Sequence, residues 1–254
     1  MLNKDYIKKQ HKERLYYYNN ELNRHEYFWE RLGGKPNFEG KTILDFGCGT
    51  GSLCLNIAKD NPKKIIGIDI EEININFAKE NIDKNFPKYK NKIEFILIDI
   101  NQWKTDYKFD YIISNEAFEH ALNLDEILNS MYNLLVPKGK IMSGFGPLYN
   151  FFNGDHGRTR AIFPWFHLVF PNSFLIKRIN KKQKKQITSI TELGLNMYSL
   201  NDYLSIFKNS NFEIEVLKKN CSNNPLALIF KLISKIKFLE EYFTFNIFTI
   251  LYKK

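Results

Sequence analysis

Two places in the sequence set an acid directly before a histidine, an arrangement that can move a proton. Asp155-His156 lies between two glycines, and Glu119-His120 follows an apolar stretch. A histidine can accept the proton of a hydroxyl group near neutral pH, and a neighbouring carboxylate can orient its ring and raise its basicity. We therefore expect His156, supported by Asp155, to be a general base, with His120 beside Glu119 as the second candidate.

These histidines also have a structural interpretation, in which they hold a loop in place. His120 would then start a helix and support the loop before it. His167 lies in an apolar sequence, where a core histidine is commoner than a ligand. Asp155, His156 and Glu119 could together hold a metal ion. We expect no metal site here.

A glycine-rich turn at 43–51, ILDFGCGTG, is the strongest signal for a bound cofactor. An apolar run reaches Asp45, and three glycines follow at alternate positions before a helical pattern begins. Such a turn between a strand and a helix holds nucleotide-type cofactors, because glycine allows φ > 0 and lets the ligand touch the backbone. A dinucleotide fingerprint needs a glycine at its sixth position, where this chain has Ser52, so an NAD enzyme is the last alternative.

Periodic apolar runs around this turn predict the elements that position the candidate residues. The predicted strands are 41–46, 64–70, 93–98, 109–114, 139–145, 212–219 and 242–251, and the predicted helices are 51–60, 71–86, 124–135, 200–210 and 226–239. Strands that alternate with helices predict a doubly wound parallel sheet of the α/β class. We expect a single domain over 1–254, with N-terminal helices in 1–34 ending at Gly33-Gly34 and an insertion at 146–190.

An acid stands at the tip of the second predicted strand. Asp69 follows KIIGI and comes 18 residues after Gly51. In nucleotide-binding α/β folds, an acid about 20 residues beyond the glycine turn accepts hydrogen bonds from the ribose hydroxyls. We therefore expect Asp69 to bind the ribose of the cofactor.

The octet LDFGCGTG, residues 44–51, is similar to motif I of the class I S-adenosylmethionine-dependent methyltransferases, and LLVPKGK resembles a later turn of that family. The resemblance implies S-adenosylmethionine (SAM) as cofactor and a seven-stranded, mostly parallel sheet with a final antiparallel strand. It also implies an N-terminal helical lid, from which Tyr18, His25 and Trp29 could reach a ligand or else pack on the sheet. The cofactor-binding residues that it implies are Asp45, Gly47, Gly49, Gly51, Asp69, Ile70, Asp99, Ile100 and Asn115.

Two other stretches of the sequence indicate the kind of molecule that accepts the methyl group. Residues 114–120, SNEAFEH, lack the two prolines of adenine amino-methylating enzymes and the cysteine of base-C5 enzymes, and their EH pair resembles small-molecule O- and C-methyltransferases. Residues 146–171 are rich in aromatics and resemble a class I subgroup associated with surface-polysaccharide synthesis. The resemblance implies an O-methyltransferase that acts on a sugar hydroxyl, with a nucleotide-activated sugar as the preferred small-molecule substrate.

The charge pattern leaves several partners open. The chain carries 37 Lys and Arg against 28 Asp and Glu, a formal net charge of +9, and six cations fall within 177–185. Such a run can hold a phosphate, bind an RNA backbone, or be a solvated surface. An RNA methyltransferase, an enzyme for a phosphate- or phosphoramidate-type small molecule, and a SAM-binding protein without activity are therefore alternatives, although we expect no nucleic acid.

The cysteine pattern and the expected lack of targeting segments indicate the cellular compartment. Cys48, Cys54 and Cys221 are odd in number and widely spaced, which fits a reducing cytoplasm better than a disulfide framework. We expect no signal peptide and no membrane-spanning segment, and a homo-oligomer stays open. The helix predicted at 226–239 carries three lysines, which favours an exposed crossover helix and leaves a membrane-surface role as the alternative.

Overall fold

The computed structural model describes residues 4–181, 186–221 and 225–254. Residues 1–3 of the predicted lid and 182–185 of the basic run therefore lie outside the described residues. Within the described part, seven strands form one sheet in the order β3-β2-β1-β4-β5-β7-β6. They are β1 Thr42–Phe46, β2 Lys64–Asp69, β3 Ile93–Leu97, β4 Phe109–Asn115, β5 Leu135–Phe145, β6 Glu213–Lys219 and β7 Ile247–Tyr252.

The first five strands are parallel, and β7 runs antiparallel to both β5 and β6. This confirms the predicted sheet and its final antiparallel strand. The helices are α1 Lys4–Leu22, α2 His25–Leu32, α3 Ser52–Ala58, α4 Glu72–Asn85, α5 Leu124–Leu134, α6 Phe166–Val169, α7 Asn172–Asn180, α8 Leu200–Asn209, α9 Pro225–Ile233 and α10 Glu240–Phe243. None of the helices in the described ranges is long and apolar enough to cross a membrane.

Helices cover both faces of the sheet because the central strands are apolar on both. Successive strand residues point to opposite faces, and Ile43 accordingly packs in one core while Leu44 packs in the other. The first core is closed by apolar side chains of α1 to α4, and the second by those of α5 and α8. Buried apolar area on two faces is the main stabilising contribution to such a sheet.

The insertion has a small core of its own. Side chains of α7 and the following loop, among them Leu175, Ile179 and Ile187, pack with Tyr149 and Phe166. The insertion thus folds onto itself beside the sheet, and its loops are held at the carboxyl end of β5.

Two boundaries near the C-terminus differ from the prediction. The helix predicted at 226–239 ends at Ile233, and the strand predicted from 242 starts at Ile247. The side chain of Asn220 accounts for the late strand start, because it accepts the N–H of Phe245 and donates to the carbonyl of Phe243. These side-chain bonds hold the backbone where ladder bonds would otherwise begin.

Candidate active site

The glycine turn after β1 is shaped by the residues packed around it. All three of its glycines have positive φ, between 51° and 76°, which only glycine adopts at low cost. A Cβ on Gly47 would lie 2.6 Å from that of Ala117, and one on Gly51 would lie 2.5 Å from the Phe95 ring. A Cβ on Gly49 would meet nothing within 4 Å, so the turn presents bare backbone to open space there.

Asp69 lies against this turn, as the spacing predicted. Its Oδ2 accepts the N–H of Gly49 at 2.9 Å, and its Oδ1 accepts the N–H of Glu71 at 2.8 Å. The carboxylate therefore joins the end of β2 to the turn after β1. Ile70 beside it is 75% exposed, and it is an apolar surface next to the predicted ribose site.

Asp45 is buried behind the turn. It is 1% exposed, and its Oδ2 accepts a hydrogen bond from Cys54 Sγ at 3.0 Å. Burial raises the pKa of Asp45 to about 7, and the negative charges of Glu21 and Asp69 add to the rise. The carboxyl group is thus ready to lose its proton when a cation binds nearby.

The remaining predicted cofactor residues, Asp99, Ile100 and Asn115, differ in how accessible their side chains are to a ligand. Asp99 is half-buried and caps a short helical turn by accepting the N–H of Asn101 at 2.9 Å. Ile100 is 4% exposed within the core under β1 and β2, so only its backbone is available to a ligand. Asn115 ends β4 opposite Gly144 of β5 and is half-buried.

A carboxyl pair after β4 completes the acidic surroundings of the turn. Glu116 has φ of 56° and donates its N–H to the carbonyl of Gly144 at 2.8 Å. Its side chain is reached by solvent but has protein on most sides, and this desolvation raises its pKa to about 7 despite Arg24 and Arg31 nearby. Sequence reasoning missed Glu116, although its place beside Glu119 in SNEAFEH was a usable signal.

Glu119 itself is buried. It is 4% exposed, and neither carboxyl oxygen has a hydrogen-bond partner among the described residues. Burial raises the pKa of Glu119 well above its ordinary value, and the neighbouring charge of Glu116 raises it further. At neutral pH the pair therefore carries at least one proton.

The N-terminal helices close over the same turn. Glu21 of α1 accepts hydrogen bonds from the hydroxyls of Thr50 and Ser52, both at 2.7 Å. The lid residues singled out in the sequence, Tyr18, His25 and Trp29, are all at most 5% exposed and pack inward. Glu21 was missed because a glutamate on a polar helix gives no sign of which partner it will meet.

The two candidate bases lie together, with ring centroids 5.1 Å apart. His120 Nδ1 lies 2.7 Å from the carbonyl oxygen of Gly194, and His156 Nε2 lies 3.1 Å from that of Pro147. A carbonyl only accepts, so each of these nitrogens carries hydrogen and the other ring nitrogen is left with its lone pair. Burial lowers the pKa of His120 to about 4 and also lowers that of His156, so both rings are neutral near pH 7.

The negative charge of Asp155 acts to raise the pKa of His156, but Asp155 does not hold the His156 ring by the predicted hydrogen bond. It is 1% exposed, and its Oδ2 accepts from the backbone N–H of Thr159 at 3.2 Å and from its hydroxyl at 2.5 Å. No hydrogen bond of the described residues joins it to the His156 ring. The correction has a simple cause: the tight turn after Asp155 directs its carboxylate inward, where it stabilises the loop.

Arg158 joins the histidine pair instead. Its Nη1 donates to the carbonyl oxygen of Gly194 at 2.8 Å, the same oxygen that His120 bonds, and also to that of Leu193. Its positive charge contributes to the low pKa of both histidines. His167 is a core histidine, 2% exposed and bonded to the carbonyl of Tyr149 at 2.6 Å.

Other candidate features lie elsewhere. No group of three or more His, Cys, Asp or Glu side chains in the described ranges is arranged to hold a metal ion. In the described part of the basic run, Lys177 and Lys181 are exposed, while Arg178 covers the Phe166 ring at 5.2 Å. A surface cavity of about 560 Å³ lies between α5 and α8 and contains none of the predicted site residues.

Comparison with known proteins gives the class of the domain. Residues 37–147, somewhat under half of the chain, match a family model described as a methyltransferase domain. The chain is 33% identical over 126 residues to protein arginine N-methyltransferase 1 of Dictyostelium discoideum, which covers 46% of this chain and 35% of that protein. The chain spans about a third of the length of the curated relatives that it matches.

Solved structures share the fold across most of the chain. An S-adenosylmethionine dependent methyltransferase from Mesorhizobium loti superposes with a TM-score of 0.56 at 16% identity, covering 86% of this chain and 94% of that one. Magnesium protoporphyrin IX methyltransferase from Synechocystis PCC 6803, with bound S-adenosylhomocysteine, gives 0.54 at 16% identity and covers 92% and 82%. Residues 37–147 thus resemble a methyltransferase domain, and most of the chain shares the fold of solved methyltransferases, among them one with bound S-adenosylhomocysteine.

The residues around the turn fit SAM as the cofactor. SAM carries a sulfonium and an ammonium cation. Asp69 accepts the N–H of Gly49, and the negative charge of Glu21, which bonds Thr50 and Ser52 of the turn, acts on both Asp45 and Glu116. Opposite charge stabilises bound ligand most where water is scarce. When bound, SAM supplies an electrophilic methyl group, and the side chains of this chain position the acceptor and receive its proton.

Proposed function

We propose that the protein is a SAM-dependent O-methyltransferase that acts on a hydroxyl of a small or glycan-type acceptor. The observation that carries the proposal is the pair His120 and His156, each neutral and each fixed by one N–H so that the other nitrogen can accept a proton. An amine needs no base after it has lost its proton, whereas a sugar hydroxyl reacts fastest with one. The two neutral histidines therefore suit an acceptor whose hydroxyl group must lose a proton.

We propose His120, the second candidate from the sequence, as the base and His156 as its partner in the acceptor pocket, because Asp155 bonds Thr159 and not the His156 ring. The loop that carries His120 packs on the cofactor turn, because Ala117 fills the space that a side chain on Gly47 would need. This contact supports a position for His120 close to the reacting centre. His156 comes from the insertion, so acceptor binding and proton removal would involve both loops at once.

An acceptor with a phosphate group is favoured by Arg158. Its guanidinium is half-buried next to both histidines, and only Nη1 is engaged with carbonyl groups among the described residues. Arginine binds phosphate through two parallel N–H groups. A nucleotide-activated sugar of surface-polysaccharide synthesis offers both the phosphate and the hydroxyl, and a phosphate- or phosphoramidate-type small molecule offers the first of these.

Replacing each histidine in turn tests the proposal. His120→Ala should leave the Kd for SAM near that of the wild type and lower kcat by about 10²- to 10⁴-fold, and His156→Ala should lower kcat/KM by at least tenfold. Calorimetry with SAM and a turnover assay with a panel of nucleotide sugars give the two readouts. The control is His11→Ala, since the His11 side chain is 50% exposed on α1. Full turnover in both pair variants would remove these histidines from the mechanism.

A further inference from the structure

The C-terminal segment exposes an apolar surface that the methyltransferase site does not use. We call it the C-terminal patch: Leu228, Ile229, Leu232, Ile236 and Phe238, with exposed fractions of 46%, 52%, 63%, 47% and 75%. Isolated exposed apolar residues are ordinary, but neighbouring ones on a single short segment mark an interaction surface.

The geometry of α9 explains why these residues face outward. At 100° per residue, Leu228, Ile229 and Leu232 fall on one side of the helix. The other side is occupied, since the Phe230 ring lies 5.4 Å from that of Phe151 and 5.6 Å from that of Phe243. The helix is thus apolar on its packed face and on its solvent face alike.

The charges around the patch are positive. Lys231, Lys235 and Lys237 are exposed and form no ion pair among the described residues. The two acids of α10 have partners outside the patch, since Glu240 pairs with Lys219 and Glu241 accepts the N–H of Leu200 at 2.7 Å. The patch therefore offers apolar side chains among unopposed cations.

We propose that the C-terminal patch binds the surface of an anionic lipid bilayer. A short segment that exposes Leu, Ile and Phe side chains among lysines can lie in the interface between lipid headgroups and acyl chains. α9 has nine residues, too few to span a membrane. A second copy of the chain is a poorer occupant, because self-pairing would bring like-charged lysines together.

The patch is coupled to the acceptor side of the molecule. Phe230 touches both Phe151 and Phe152, and Phe243 touches Trp165. These aromatic residues belong to the insertion that carries His156. A bilayer bound at the patch would thus lie next to the insertion, and the acceptor of the enzyme would be available at a membrane surface.

Vesicle sedimentation with the full chain tests this. The wild type should bind phosphatidylcholine vesicles containing 30% phosphatidylglycerol and bind pure phosphatidylcholine at least tenfold more weakly. Lys231→Gln/Lys235→Gln/Lys237→Gln should weaken binding to the anionic vesicles by about 100-fold, from about fivefold per lysine. Leu232→Asp should weaken it by about tenfold or more.

Two controls separate lipid binding from other causes. Ile214→Asp alters another exposed apolar residue, 40% exposed on β6, and should bind vesicles like the wild type, while SAM affinity should be unchanged in every variant. Equal binding of the wild type and Leu232→Asp would overturn the proposal. The proposal would also be overturned if the wild type bound no vesicles and instead formed a dimer that Leu232→Asp dissociates.

Discussion

Two carboxyl groups near the glycine turn are kept partly protonated by desolvation, so cofactor binding should change their charge. Asp45 and Glu116 both have a pKa of about 7. A bound cation favours the ionised form of each. SAM should therefore bind with release of protons, and its affinity should weaken as pH falls below about 7. Calorimetry in buffers of different ionisation enthalpy measures the protons released, and a value of zero between pH 6 and pH 7 would contradict this.

Asp45 also predicts a pH dependence of stability without cofactor. The folded chain keeps this proton up to about pH 7, whereas the unfolded chain loses it near the ordinary value of 3.8. The folded state therefore binds more protons between these values, and the free energy of unfolding should fall as pH rises from about 4 to about 7 and then level off.

The Asp45→Asn variant isolates this contribution. The difference in unfolding free energy between wild type and variant should change by about 2–4 kcal/mol over that pH range, measured by thermal and urea unfolding. Asp106→Asn, at an exposed acid, is the matched control for the substitution itself. A parallel pair of profiles for wild type and Asp45→Asn would show that Asp45 is ionised in the folded apoprotein.

At the level of elements, α1 is held to the cofactor turn through Glu21. Its carboxylate accepts from two nearly fully buried hydroxyls, of Thr50 and Ser52, and hydrogen bonds to a charged group contribute about 1.5–3 kcal/mol each. Glu21→Ala should leave both hydroxyls unpaired, release α1, and weaken SAM binding by about tenfold.

Hydrogen exchange of α1 and calorimetry with SAM measure these effects. Glu13→Ala is the matched control, because Glu13 is an exposed acid on the same helix, and it should change neither. Unaltered exchange of α1 in Glu21→Ala would mean that the other contacts of α1, such as Tyr18 and His11 with the Phe77 ring, hold the helix without Glu21.

Elements with strong local signals were predictable from the sequence. β1, the glycine turn and α3 are specified by an apolar run, three glycines and a helical pattern that adjoin each other, so their positions were confirmed within two residues. The elements of segment 225–246 could not be predicted, because its division into α9, α10 and a loop depends on hydrogen bonds of the Asn220 side chain. A contact made by a residue distant in sequence leaves no periodicity to read.

The candidate site divides in the same way. Asp69 lies beside the glycine turn because β1 and β2 are adjacent parallel strands whose ends meet at one edge of the sheet, and its role in binding the ribose stays a prediction. The partners of Asp155, Glu21 and Arg158 could not be predicted, since each is set by the path of a loop or by the docking of a helix. The meeting of His120 and His156 depends on how the insertion folds back on β4.

Across the whole molecule, negative and positive side chains concentrate in different regions. Carboxyl groups surround the turn that holds a cationic cofactor, while the net charge of +9 is carried by lysines and arginines elsewhere, including the C-terminal patch. Such a separation attracts SAM to one region and an anionic acceptor or lipid surface to another. The fold is that of solved methyltransferases, and the proposal adds the acceptor.

Mass spectrometry of the reaction product tests that addition most directly. The full chain is incubated with SAM carrying an isotopically labelled methyl group and with a panel of nucleotide sugars, an RNA pool and simple amines. We predict a labelled methyl ether on a sugar hydroxyl, formed together with one equivalent of S-adenosylhomocysteine and lost in His120→Ala. Label on a nitrogen or in the RNA, or no transfer to any hydroxyl while SAM is bound, would contradict it.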